Sequence, residues 1–194
     1  YPGLSLPYPF HRHGCRQAQE ESLSRQSALY VTIMNSDMYK YNRKIKDDDF
    51  YNDFMIYSSR VPVFRSSYRE RLFGKREVFE ASVITSAAPN LHNINKKGAF
   101  LKALSLWWNQ YETRLKNRCR KILLLAIEKG NEAIVLGAYG CGVFENSPEK
   151  ISKIYKELLV DEGLGKYFVK VVFAIIDKKS NNYKAFYREF KKVK

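Results

Sequence analysis

AIVLGAYGCGVFENSPEKI, residues 133–151, is the most informative stretch of this chain. Ala133 to Gly137 reads as a short buried strand. A glycine-rich turn follows, then Asn146 or Ser147 as a helix cap with Pro148 at the first helical position. Ile151, Ile154, Tyr155 and Leu158 recur at helical spacing and mark the apolar face of that helix. A strand, a tight turn and a helix in that order is a building block of α/β domains.

The flanking segments extend the same alternation. Phe168 to Ile176 (FVKVVFAII) has eight apolar residues in nine, the mark of a central strand covered on both sides. A last helix carries Tyr183, Phe186, Tyr187 and Phe190. Upstream, Leu101, Leu104, Trp108, Tyr111, Leu115, Cys119, Ile122 and Ala126 are spaced by threes and fours, predicting a core-facing helix that Gly130-Asn131 stops. Val78 to Ala87 reads as a strand ended by Ala88-Pro89-Asn90, and Arg60 to Arg65 as a shorter one that Pro62 assigns to an edge. Residues 39–59, with Asp47-Asp48-Asp49, read as an exposed polar excursion. A helix starts at Ala18, with Leu23, Tyr30, Ile33 and Met34 on one face and Gln19, Glu20 and Glu21 in its first turn. Tyr1 to Arg16, rich in Pro, His and aromatics, has no period and reads as a loop. The expected organisation is an irregular segment, 1–17, before one α/β domain, 18–194, built as a three-layer αβα sandwich with a mixed sheet.

Composition bounds the function. A chain of 194 residues with 45% hydrophobic and 14% aromatic side chains buries a full core without disulfides or metal, and is not a disordered tail. No apolar run reaches the ~20 residues a membrane-spanning helix needs, and no membrane partner is expected. Cys15, Cys119 and Cys141 are odd in number and widely spaced, which suits a reducing cytoplasmic setting rather than a disulfide framework. The formal charge is +14, and residues 91–194 supply +11 of it. Such asymmetry suits an anionic partner (nucleic acid, a membrane surface or phosphates), or else lysine-decorated helix faces in solvent.

Four clusters could carry chemistry. The turn Leu136 to Phe144 sets Gly137, Gly140 and Gly142 between a strand and a helix, where backbone N–H groups can approach phosphate oxygens and the helix dipole assists. It lacks the Lys-Ser/Thr pair of a Walker A loop and the third glycine of a GxGxxG fingerprint. A tight structural turn is the competing reading. Gln19-Glu20-Glu21-Ser22 offers two carboxylates about 100° apart on a helix, so one can work on an acetal carbon while the other accepts from hydroxyls. A helix N-terminus favours their ionised form, so an acid role requires burial. Ordinary acidic residues of a first helical turn are the alternative. Cys141 with His92 could form a nucleophile pair, although a small side chain in a turn is the preferred reading of Cys141. His11, His13 and Cys15 could ligate a metal, but no fourth ligand is evident.

GAYGCGVFENSPEKI followed by FVKVVFAI, with AQEESLSRQSALY upstream, resembles the microbial-type poly(ADP-ribose) glycohydrolases, which have a macrodomain fold. The resemblance runs from about Ala18 to Phe190 and takes in SAAPN, Ser86 to Asn90, and Arg118 ahead of KILLLAIEKG. It implies an ADP-ribose cleft at the strand ends and hydrolysis of the glycosidic bond of ADP-ribose attached to a macromolecule. Glu21 would be the catalytic acid/base and Glu20 its neighbour on the ribose hydroxyls, with Gln19 positioning the helix. Gly137, Ala138, Tyr139, Gly140, Cys141, Gly142, Val143 and Phe144 would cradle the diphosphate, Phe144 packing on the ribose, and Pro89 and Asn90 would join the ligand-binding set. No metal and no cofactor is implied. The implied partner is ADP-ribose or poly(ADP-ribose) on modified protein or nucleic acid, met by a monomer. The family's N-terminal strands and the glycine run before its QEE helix have no match in Pro2 to Gly14, so the N-terminal strands are expected to be missing here. A non-catalytic ADP-ribose reader, or more weakly a nucleic-acid-binding protein, is the alternative.

Overall fold

The computed structural model describes residues 19–44, 50–66, 71–96 and 105–193. The loop expected over Tyr1 to Arg16 with His11, His13 and Cys15, the helix start expected at Ala18, the Asp47 to Asp49 run, Leu101, Leu104 and the Trp108 side chain lie outside the described part. The chain divides into two compact units, Tyr1–Ala87 and Ala88–Lys194.

In the first unit, helices α1 (Gln19–Gln26), α2 (Leu29–Ile33) and α3 (Asp37–Lys44) precede an antiparallel pair, β1 (Met55–Val63) and β2 (Phe79–Ser86). The single helix expected from Ala18 is broken at Ser27–Ala28. Two local bonds stabilise the break: Ser27 Oγ donates to Leu23 O at 2.7 Å, and Leu29 N donates to Ser27 Oγ at 3.2 Å. The chain there also meets β1, with Ala28 N donating to Pro62 O and Phe64 N to Gln26 O, both at 3.0 Å. A side chain that bonds its own backbone competes with the helical ladder, and here it wins. The break turns Leu29 and Ile33 into the core with Met38, Tyr39 and Val61, while Met34, expected on the apolar face, is exposed.

Two further expectations are corrected in this unit. The 39–59 excursion is not uniformly exposed: Tyr39 and Asn42 are buried, and α3 is an amphipathic helix whose alternation of Lys and Tyr disguised it. The edge strand begins at Met55, five residues earlier than Arg60. Pro62 sits in it at no loss, because its carbonyl faces Ala28, away from β2, and its missing N–H would have faced the same way. A bulge between Ser58 and Val61 places Arg60 in the left-handed region at φ +51°.

In the second unit, α4 (Leu91–Lys96), α5 (Ser105–Glu128), β3 (Ala133–Leu136), α6 (Pro148–Lys156), β4 (Lys170–Phe173) and α7 (Asn181–Phe190) follow in order. The spacing expected of the long helix is what the structure buries: Tyr111, Leu115, Cys119, Ile122 and Ala126 all face the core. Gly130, at φ +68°, ends the segment in the left-handed conformation that glycine adopts without strain. Ser147, not Asn146, caps α6, its Oγ accepting from Lys150 N at 3.3 Å. Past Lys156 the helix continues as one π-turn, Glu157–Asp161.

β3 and β4 pair in parallel, Ala133 with Lys170 through Leu136 with Phe173. β4 is not covered on both faces as its composition predicted, and β3, expected to be buried, is buried only at Leu136. Phe173 packs against Tyr155, Phe186 and Phe190 at ring distances of 5.5, 4.9 and 4.7 Å. The opposite pleat is open, with Val135 69% and Val172 36% exposed, and beyond the strand ends Val169 and Ile176 are exposed too. An all-apolar run cannot report which pleat is covered, because valine suits either.

Candidate active site

The candidate residues fall into two groups, one in each unit. The first is carried by α1. Gln19 is exposed, Glu20 half-buried, and Glu21 buried to 1% exposure. Their carboxyl groups leave the helix at different angles, so their surroundings differ. Glu20 Oε2 accepts a hydrogen bond of 2.8 Å from the hydroxyl of Tyr39, itself buried in α3. Burial pushes the Glu20 carboxyl up to about 7, against the Tyr39 bond, which favours the anion, while the neighbouring Glu21 charge raises it further. The Tyr39 hydroxyl is pushed above its ordinary range by its own burial and by the Glu20 charge. At Glu20, burial outweighs the preference of a helix start for a carboxylate.

The second group surrounds the glycine-rich turn. Gly140 adopts φ +70°, and a Cβ there would lie 2.2 Å from Asn146 Nδ2 and 2.7 Å from the Ala88 side chain. Glycine is required at that position by both conformation and space. Gly137 and Gly142 have nothing within 4 Å of a Cβ position, so open room rather than crowding surrounds them. The turn closes through Cys141 N to Ala138 O at 3.0 Å, Glu145 N to Gly142 O at 3.0 Å and Asn146 N to Gly140 O at 3.1 Å. Among the described residues, the amides of Gly140, Gly142 and Val143 donate to no backbone carbonyl. Amides left over in a turn before a helix are suited to an anionic oxygen.

Buried Asn146 ties the group together. Its Nδ2 donates to Pro89 O at 2.9 Å and to Gly140 O at 3.0 Å, and its Oδ1 accepts from the Tyr111 hydroxyl. It thereby joins the Ala88-Pro89-Asn90 segment to the turn and to α5. Asn90 is also buried, and its Oδ1 accepts from Asn93 N at 3.1 Å at the start of α4. His92 N donates to Phe144 O at 3.1 Å, and His92 Nδ1 lies 2.8 Å from Glu145 Oε1. His92 is therefore engaged by Glu145. Cys141 Sγ donates weakly to Tyr139 O at 3.7 Å, and burial pushes its thiol up to about 12. A neutral thiol of that kind is a turn residue, not a nucleophile.

Sequence reasoning missed two contributors. Asn146 was readable only as a cap, since nothing local marks its reach to Pro89, 57 positions away. Tyr39 lies in a stretch whose polar composition hid a buried ring.

With this geometry in place, the comparisons are specific. The family model of the microbial-type PARG catalytic domain matches residues 12–66. The structure of poly(ADP-ribose) glycohydrolase from Deinococcus radiodurans in complex with ADP-ribose is 32% identical, with a TM-score of 0.77, over 92% of this chain and 69% of that one. The chain belongs to the microbial-type poly(ADP-ribose) glycohydrolase family. The Thermomonospora curvata poly(ADP-ribose) glycohydrolase bound to the inhibitor ADP-HPD is 34% identical, with a TM-score of 0.77, over 90% of this chain and 63% of that one. A further crystal structure of the Thermomonospora curvata enzyme gives 34% identity and a TM-score of 0.78 over 90% of this chain and 61% of that one. This chain thus spans between three fifths and seven tenths of these glycohydrolases. Among curated proteins none matches. The mixed α/β architecture is that of the glycohydrolase family's macrodomain-like fold, as the sequence predicted.

Proposed function

We propose that this chain is a glycohydrolase that releases ADP-ribose from a modified macromolecule. The single observation that carries the reading is the 32% identity across most of a glycohydrolase whose structure holds ADP-ribose. The local chemistry supports it. The glycosidic C–O bond breaks as its oxygen takes a proton, charge develops on the ribose ring as in an oxocarbenium ion, and water adds to the same carbon. Glu21 is assigned the proton transfer and Glu20 the ribose hydroxyls, with the amides of the Gly137 to Phe144 turn on the diphosphate. Burial raises the Glu20 carboxyl, and the Tyr39 bond works against that in favour of the anion, the form that accepts from ribose hydroxyls.

We extend the reading to a monomer acting on poly(ADP-ribose) in a reducing compartment, where the free thiols of Cys119 and Cys141 persist. The test is release of ADP-ribose from a labelled, poly(ADP-ribosyl)ated protein. Release by the wild type that falls in Glu21→Ala supports both the activity and the assignment. Undiminished release in that variant overturns the role of Glu21. ADP-ribose binding without release marks the chain as a reader instead.

A further inference from the structure

Tyr39 stands outside every motif that identifies the site, yet it is hydrogen-bonded to one of the two carboxylates. Its hydroxyl donates to Glu20 Oε2 at 2.8 Å, across from α3 to α1. The ring is buried among Leu29, Ile33, Met38 and Val61, so the hydroxyl has little freedom to leave. The other oxygen, Glu20 Oε1, is buried without a hydrogen-bond partner among the described residues. A buried carboxylate oxygen without a donor is costly unless a ligand serves it. Among the described residues, the titratable groups acting on Glu20 are Tyr39 from α3 and Glu21 from its own helix.

We propose that Tyr39 is a positioning residue for Glu20: it holds Oε2 and so aims Oε1 at a ligand hydroxyl. This rests on the reading of the chain as an ADP-ribose glycohydrolase, in which that hydroxyl belongs to the ribose. A rotating carboxylate would present either oxygen and lose rotamer freedom on each binding event. One pinned by a phenol from another helix is already oriented. The same bond favours the ionised carboxylate, the form that accepts from hydroxyls, and so offsets part of the burial that works against it.

The experiment uses the full chain labelled with 13C at the glutamate carboxyl carbons. Its NMR titration follows Glu20, assigned by the resonance lost in Glu20→Gln. In Tyr39→Phe the Glu20 midpoint is expected to move up by about one pH unit, the size of a lost hydrogen bond to a charged group. The acidic limb of ADP-ribose release moves with it, and KM rises more than kcat falls. A purely structural role for Tyr39 would lower Tm and leave the midpoint in place. If Tyr39→Phe does not fold, 3-fluorotyrosine at position 39 keeps the shape and strengthens the donor, and the midpoint is expected to fall. A Glu20 midpoint unmoved in the folded variants overturns the proposal. Absence of ADP-ribose release by the wild type would instead defeat the hydrolase reading, and the titration reports on Tyr39 separately.

Discussion

Glu20 and Glu21 are adjacent on α1, yet the fold gives their carboxyl groups different company: Glu21 is buried outright, and Glu20 is held by Tyr39. The raised Glu20 carboxyl has a consequence for stability. A carboxyl shifted upward binds its proton more tightly folded than unfolded, so folding is favoured below about 4.5 and that contribution is lost as pH rises through about 7. Glu20→Gln removes the titration. Its Tm at pH 8 is expected to exceed that of the wild type, by the equivalent of roughly 1 to 3 kcal/mol, and the difference should vanish near pH 4. Thermal melts across that range check it. Glu21→Gln keeps shape and loses the proton, so ADP-ribose release is expected to drop by roughly 10² to 10⁴ while affinity for ADP-ribose survives. The identity of these carboxylates was legible because adjacent acids at a helix start are visible in sequence. Their environments were not, since Tyr39 reaches Glu20 across 19 positions and a helix break.

The two elements that matter most are the glycine-rich turn and the segment it is stapled to. Gly140→Ala forces a side chain into Asn146 and a residue at φ +70° into strain, so it is expected to lower Tm and weaken ADP-ribose binding together. Gly142→Ala meets no protein atom within 4 Å. It should leave Tm unchanged and weaken binding alone if a diphosphate approaches that backbone. Melts paired with calorimetry separate the two. Asn146→Ala strips partners from Pro89 O, Gly140 O and the Tyr111 hydroxyl at once. The expected loss is about 3 kcal/mol, a fall in Tm of roughly 6 to 12 °C. At this scale the sequence was a good guide where one periodicity dominates: the buried residues of α5 and of α6 fall where their spacing puts them. It failed where a side chain overrides the pattern, as Ser27 does between α1 and α2, and where apolar residues fill both pleats of β3 and β4.

For the molecule as a whole, a net +14 concentrated after residue 90 is a field that draws polyanions. Poly(ADP-ribose) carries many phosphates and a single ADP-ribose only two, so KM for polymer is expected to climb more steeply with salt than KM for a singly modified target. Equal slopes would show that the charge serves solubility rather than capture. The family and the α/β class were both legible, because the two motifs occur in order across nearly the whole chain. Everything else depends on whether the chain turns its ligand over. Release of free ADP-ribose from labelled poly(ADP-ribosyl)ated protein, followed for the wild type and for Glu21→Ala side by side, answers that. Release by the wild type and at least a hundredfold slower release by the variant are expected, with ADP-ribose still bound by both. Equal release by the two proteins, or tight binding with no release by either, would contradict that expectation.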